Sequence, residues 1–324
     1  MRINPNRRSL LKGTGAAFAL AVGPLLAQTK VTRLIVGFPP GGPIDFVARL
    51  MAEQLGRELG QQVIVENKTG ANAGIAADFV AKSAPDGQTL FLTTTGPVSI
   101  SPSLYEKLAY DPVRDLTPVT LVCNTDEVLV TSSSNPANTV PEFIAAAKQK
   151  TGGATMGSSG IGSMPHLAME LLADVSKTQL RHVPYKGVGP AIVDAIAGHI
   201  DGLFIDVPPA LANIKGGKLK ALGLAAPKRH PLLPDVRTLD EMGIPGVDSN
   251  NWYAIYASKG TPLAEVERVN AAMRRTLESE GVKSRMMAAG VVPAPGTPAA
   301  LAALQKADTD KWSRVIKLRN IKGE

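Results

Sequence analysis

The chain has 324 residues, with 35 Lys and Arg against 28 Asp and Glu, and its formal net charge is +7. Aromatic residues make up only 4% of the chain and do not interleave with basic clusters, so the composition gives no support for nucleic-acid binding. The single cysteine, Cys123, excludes an intrachain disulfide and lies in an apolar run, where we expect it to be packed.

The first 27 residues are predicted to be an export signal rather than part of the fold. Arg7 and Arg8 belong to a twin-arginine pattern, and the apolar stretch at 13–26 is too short and too broken by glycine and proline to span a bilayer. We place cleavage after Ala27. The leader contains four basic residues and no acidic one, so the mature chain has a net charge of +3, and we expect it in the periplasm.

A turn rich in glycine and proline joins the first predicted strand to the first predicted helix. The strand covers 31–37, the turn reads FPPGGPID at 38–45, and the helix covers 46–59. A strand, a glycine turn and a helix N-terminus together can bind an anion through backbone N–H groups. An ordinary tight connection is the alternative, in which Asp45 only caps the helix.

Predicted strands and helices alternate along the chain, which favours an α/β fold with mostly parallel sheets. Further strands are expected at 62–66, 89–95, 119–131, 153–157, 180–185, 200–206, 219–225 and 253–257. Further helices are expected at 74–84, 140–150, 164–174, 189–198, 208–215, 263–280 and 298–320. We interpret 119–131 and 253–257 as strands that cross between two lobes with a shared cleft.

A second glycine-rich loop, at 158–163, precedes a predicted helix. It fails the glycine spacing of the nucleophile elbow and of the dinucleotide-binding fingerprint. Its hydroxyl and N–H groups suit a carboxylate, a sulfate or a phosphate at the helix N-terminus. The competing hypothesis is an exported serine hydrolase that uses Ser158 or Ser163 as nucleophile and His166 as base, and it needs an orienting acid such as Asp206.

Nine short motifs follow one another through nearly the whole mature chain. They are FPPGGPID at 38–45, VIVENK at 63–68, APDG at 84–87, SLYEKLAYDP at 103–112, SSGIGSMPHLA at 158–168, VPYKG at 183–187, GKLKAL at 217–222, LPDVRT at 233–238 and GTP at 260–262. In this order and spacing, the chain resembles the Bug (TctC-like) family of periplasmic solute receptors, which are the extracytoplasmic components of tripartite tricarboxylate transporters.

The resemblance implies a type II periplasmic-binding-protein fold, with a ligand cleft between two lobes. Lobe 1 is expected at 28–131 and 250–324, and lobe 2 at 132–249. It further implies a monomeric receptor, not an enzyme, that closes on a small organic acid and delivers it to a tripartite tricarboxylate-type membrane permease. No cofactor or metal is expected, because the histidines show no ligand spacing.

The resemblance also implies which residues bind the carboxylate of the ligand. Lobe 1 would supply Phe38, Gly41, Gly42, Ile44, Asp45, Thr94 and Thr95. Lobe 2 would supply Ser158, Gly160, Gly162, Ser163, His166, Tyr185 and Asp206. The two loops contain no Arg or Lys, which is against a bidentate cationic clamp and leaves open which acid is bound.

Overall fold

The computed structural model describes residues 30–323, so the predicted export signal and its cleavage position lie outside the described residues. Two β-sheets flanked by helices account for this range, which confirms the two-lobed α/β fold. No helix within 30–323 is long and apolar enough to cross a membrane.

Strands and helices alternate much as the sequence predicts. The strands are β1 Val31–Val36, β2 Gln62–Asn67, β3 Thr89–Thr94, β4 Leu116–Thr125, β5 Glu127–Ser132, β6 Ala154–Ser158, β7 Leu180–Pro184, β8 Gly202–Asp206, β9 Leu219–Leu224, β10 Asn251–Ser258 and β11 Val292–Pro293. The helices are α1 Pro43–Leu59, α2 Gly74–Ala81, α3 Ser101–Leu104, α4 Val140–Gln149, α5 Met164–Ser176, α6 Val188–Ala197, α7 Val207–Lys215, α8 Leu263–Glu278, α9 Glu280–Ala288 and α10 Pro298–Arg319.

The two sheets are mixed: most strands of each run in one direction, while β10 and β11 in the first sheet and β5 in the second run against them. The first sheet has the strand order β11-β4-β10-β3-β1-β2, and the second has the order β7-β6-β8-β5-β9. β10 runs antiparallel to β3 and β4, and β5 runs antiparallel to β8 and β9. Each of these two strands enters its sheet from the other sheet, at the edge where the parallel strands end, and therefore runs in the opposite direction.

The chain crosses between the sheets at Asp126 and again just before β10. The predicted single strand at 119–131 is two strands, because β4 pairs in the first sheet and β5 pairs in the second. The expected lobe boundary after residue 131 therefore falls inside β5, and it assigns most of this strand of the second sheet to lobe 1. Below, lobe 1 means the first sheet with its helices, and lobe 2 means the second sheet, including β5, with its helices.

A buried apolar cluster, the interlobe cluster, joins helices of the two lobes. β3 continues into a π-helical turn, Gly96–Ile100, and then into α3, a segment for which no helix is predicted above. This segment packs with α5 of lobe 2 and with α10 of lobe 1. The buried members of the cluster are Ile100, Leu104, Met164, Leu167, Trp312 and Ile316.

Two residues of α10 test the contribution of the interlobe cluster to stability. Ile316 is 3% exposed within the cluster, whereas Leu318 is 71% exposed on the same helix. We expect Ile316→Ala to lower the free energy of unfolding by about 2–4 kcal/mol, because it leaves a cavity between the lobes. Leu318→Ala should change it by less than about 0.5 kcal/mol. Urea denaturation of both variants measures the difference, and equal values would show that α10 does not support the cluster.

Candidate functional site

A cavity of about 870 Å³ lies between the two lobes. Lobe 1 contributes the turn at 38–44, the end of β3 at Thr94, and Asn251 and Tyr253 at the start of β10. Lobe 2 contributes Ser159 and Ser163 from the glycine-serine loop, together with residues of α6 and α7 and Asp206 at the end of β8. Carboxyl ends of parallel strands therefore meet at the cavity, which is the usual place for a ligand in α/β sheets.

The turn before α1 is held in shape by Asp45, whose side chain is buried behind it. The Asp45 carboxylate accepts hydrogen bonds from Gly41 N at 2.9 Å, Arg49 Nε at 2.9 Å and Asn67 Nδ2 at 2.9 Å. Burial alone would raise the pKa of Asp45, but these hydrogen bonds hold it below its usual value. Gly41 has φ +79, a left-handed conformation that favours glycine. Asp45 therefore positions the turn and does not line the cavity.

Four helices, α1, α5, α6 and α7, have their N-cap residue in the cavity lining, and of these α1 and α5 begin at the two glycine-rich turns, where neither has a side-chain cap among the described residues. Gly42 is the N-cap of α1, and Ser163 is the N-cap of α5. Ser163 Oγ donates to Gly160 O at 2.7 Å instead of accepting from an N–H of its own helix. The first-turn N–H groups of both helices are thus available to a ligand, and both helix dipoles favour an anion there.

The glycine-serine loop is supported from behind by two stacked histidines. Ser158 Oγ lies 2.6 Å from His182 Nε2, and the His182 ring stacks on His166 with a centroid distance of 3.8 Å. Gly162 N donates to His166 Nδ1 at 3.1 Å, and Gly160 N donates to Ser158 Oγ at 3.1 Å. Burial, aided by the neighbouring His166, lowers the pKa of His182 to about 3, so the His182 ring is uncharged at neutral pH.

The catalytic pair of the hydrolase hypothesis is not formed, and that hypothesis is wrong. Ser158 is fully buried and its histidine partner is His182, not His166. Ser163 donates to a backbone carbonyl, and His166 already accepts a backbone N–H. A serine nucleophile needs a base within hydrogen-bond reach and access to substrate.

Asp206 lies on the lobe 2 wall of the cavity and is bonded by residues of lobe 1. Its carboxylate accepts hydrogen bonds from Thr125 Oγ1 at 3.0 Å, Tyr253 OH at 2.9 Å and Asn251 Nδ2 at 3.4 Å. Burial raises the pKa of Asp206 despite these hydrogen bonds. A carboxyl group of lobe 2 at the cavity wall is thus hydrogen-bonded to lobe 1.

Glu127 is a buried carboxyl directly opposite the half-buried Asp206 in the β5–β8 ladder. Its Oε2 accepts a hydrogen bond from Ser249 Oγ at 2.8 Å, while Oε1 has no partner among the described residues. Burial, together with the Asp206 charge, raises the pKa of Glu127 well above its usual range. Asp126, next to it at the chain crossing, also has a raised pKa because of burial. Protonation of Glu127 relieves the repulsion between the two carboxyls.

Seven of the fourteen predicted site residues line the cavity. These are Phe38, Gly41, Gly42, Ile44, Thr94, Ser163 and Asp206. The other seven, which lie outside the cavity lining, are Asp45, Thr95, Ser158, Gly160, Gly162, His166 and Tyr185.

The predicted residues outside the lining make structural contacts. Thr95 Oγ1 donates to Asn251 Oδ1 at 3.1 Å, and Tyr185 OH donates to Asp194 at 2.6 Å. Gly162 faces Leu104 so closely that a Cβ there would clash, and its φ is +73. These residues shape the walls, and ligand contact by any site residue remains a prediction.

Several lining residues were not predicted from the sequence. Asn72 and Ser159 belong to loops, and Asn251 and Tyr253 begin a strand whose position depends on long-range pairing. The apolar lining from α6 and α7 was predicted only as helix. The sequence signal that points to Asn251 as a site residue is its position as a polar residue at the start of a crossing strand.

No metal or thiol chemistry is indicated in the described part of the chain. Residues 30–323 contain no group of three or more His, Cys, Asp or Glu side chains that could hold a metal ion. Cys123 is buried and unpaired, as its apolar run predicts, and burial raises the pKa of its thiol.

Comparisons with known proteins agree on one family. Residues 47–321 match the model of the tripartite tricarboxylate transporter family receptor, TctC. The chain is 33% identical to Protein BugT of Bordetella pertussis, over 97% of this chain and 98% of that protein. Among solved structures it is similar to MatC from Rhodopseudomonas palustris with bound malate, with a TM-score of 0.81 and 33% identity over 88% of this chain and 99% of that one. It is also similar to R. palustris Rpa4515 with adipate, with a TM-score of 0.87 and 30% identity over 91% and 99%.

The buried Glu127 predicts a pH-dependent stability. Its raised folded-state pKa means that the stabilisation it contributes is fully present at low pH and is lost as pH rises through that pKa. Glu127→Gln should therefore match the parent chain near pH 4 and unfold at a higher temperature at pH 8. Thermal unfolding between pH 4 and pH 8 measures this difference. Glu267→Gln, at an exposed carboxylate, is the control, and an equal pH profile for all three chains would contradict the prediction.

Proposed function

The chain belongs to the tripartite tricarboxylate transporter receptor family, and from this membership we propose that it captures a small organic acid in the interlobe cavity and delivers it to a membrane permease. Members of this family are periplasmic solute-binding receptors, not enzymes. The observation that carries the proposal is the pair of uncapped helix N-termini, one from each lobe, that begin at one cavity.

The ligand carboxylate binds between these two N-termini. Backbone N–H groups of α1 and α5 donate to it, and hydroxyl and amide groups of Thr94, Ser163 and Asn72 lie in the same lining. Such donors hold an anion without a counter-charge, because helix N-termini already carry partial positive charge. MatC with malate and Rpa4515 with adipate both hold organic acids, which supports this ligand class.

Closure of the lobes around the ligand is the proposed binding step. A ligand that contacts both N-termini binds the closed state better than the open one, so binding shifts the population toward closure. Asn72 Nδ2 donates to Gly162 O at 3.2 Å and links the loop between β2 and α2 of lobe 1 to the glycine-serine loop of lobe 2. The closed form, as a monomer, is then the species that the permease recognises.

The mature receptor is proposed to act outside the cytoplasm. An extracytoplasmic location fits the family, whose solved relatives include periplasmic binding proteins. We propose that export uses the twin-arginine route through Arg7 and Arg8.

Gly42 tests the anion site. Gly42→Asp should weaken binding of the strongest ligand in a panel that includes malate, adipate and benzoate by at least about 100-fold, because its carboxylate repels the bound anion. Gly42→Asn, of equal size and no charge, should lose less than Gly42→Asp, and Gly281→Asp, in open space on α9, should lose nothing. Isothermal titration measures all three. Equal affinity of the Gly42→Asp variant and the parent would refute the site.

The export route has a separate test. Arg7→Lys combined with Arg8→Lys should leave the precursor in the cytoplasm, because the twin-arginine pathway reads this pair. Cell fractionation followed by immunoblotting measures the periplasmic fraction. Normal processing of the double variant, together with its loss when the general secretion pathway is blocked, would assign export to that pathway instead.

A further inference from the structure

One side of the cavity is apolar and belongs to lobe 2. This surface, the apolar wall, is formed by the end of β8 and the faces of α6 and α7. Its residues are Val188, Ile192, Ile205, Pro208, Pro209 and Leu211. Four of them, Val188, Ile192, Ile205 and Leu211, continue into the buried core of lobe 2, so the core supports the wall and fixes its shape.

The apolar side chains of the wall do not favour a carboxylate packed against them. Asp206 is the acidic group of the cavity lining, and when ionised it repels a neighbouring anion. Lys186 and Lys215 also line the cavity, but both are exposed and stay solvated, which makes them weak partners. The apolar side chains of the wall offer a carboxylate no hydrogen-bond donor, and the nearest N–H groups, those of Val188 and Gly189 at the start of α6, lie at one end of the wall.

The polar and apolar parts of the cavity therefore suit chemically different parts of one ligand. Resting on the proposed function, we propose that the ligand is an organic acid with one carboxylate at the two helix N-termini and an apolar chain or ring against the apolar wall. A small hydroxy-dicarboxylate bound at the same N-termini would leave the wall in contact with water.

The volume of the cavity is large enough for a ligand that has an apolar chain or ring. About 870 Å³ lies in the upper part of the range of roughly 300–1,000 Å³ that holds drug-sized molecules. Phe46, on α1, adds an aromatic side chain from lobe 1. Each methylene that moves from water to such a surface strengthens binding about fourfold.

A chain-length series of monocarboxylates tests the inference. Titration of the mature protein with propanoate, butanoate, pentanoate and hexanoate should show affinity rising about fourfold per methylene. Hexanoate should also bind at least about tenfold more tightly than malate. Saturable binding of malate with no dependence on chain length would overturn the inference and leave the proposed function standing. No binding of any of these acids, nor of adipate or benzoate, would overturn both.

Substitutions at two neighbouring residues of α6 test whether the chain-length effect arises at the apolar wall. Ile192 lines the cavity and is half-buried, whereas Val193 is 64% exposed and lies outside the lining. Ile192→Ser should weaken hexanoate binding about fivefold or more and change propanoate binding less than twofold. Val193→Ser should change neither. An equal effect of Ile192→Ser on both acids would place the apolar body elsewhere, and thermal unfolding confirms that both variants are folded.

Discussion

The carboxyl group of Asp206 joins the two lobes at the point where the cavity and the chain crossings meet. It belongs to the last residue of β8 in lobe 2, yet two of its donors are Thr125 and Tyr253 of lobe 1. Asp206 is half-buried, so the loss of these donors would leave its carboxyl group poorly solvated and would raise its free energy. Lobe movement that keeps these hydrogen bonds must pivot near Asp206. The far ends of the lobes can then separate while the crossing region stays fixed.

The direction of the crossing strands follows from the same geometry. β5 begins at Glu127, beside the end of β8, and β10 begins at Asn251, beside the end of β3. Both crossings therefore lie at the edge of the sheets where the parallel strands end and where the turns and helix N-termini follow them. One short region thus holds Asp206, Glu127 and one wall of the cavity, so the proposed closure of the lobes and the proposed ligand contacts involve the same residues.

Local sequence signals predicted the elements of the site better than its side chains. Glycine and proline in the 38–45 turn mark a strand-to-helix connection, because these residues restrict the backbone without long-range help. Packing decides which threonine at the end of β3 faces the cavity, so Thr94 lines it while Thr95 Oγ1 donates to Asn251 Oδ1. His182 supports Ser158 only because β6 and β7 pair in register, which spacing along the chain does not reveal.

The division of the cavity into backbone donors and an apolar wall separates affinity from selectivity. Backbone N–H groups at two helix N-termini attract any carboxylate, and they depend little on side-chain identity. They cannot by themselves distinguish a four-carbon acid from a larger one. Related receptors that hold malate and adipate share the fold, so the difference between ligands must arise from side chains around the anion site. In this chain the apolar wall, supported by the lobe 2 core, is the surface with the chemistry to make that distinction.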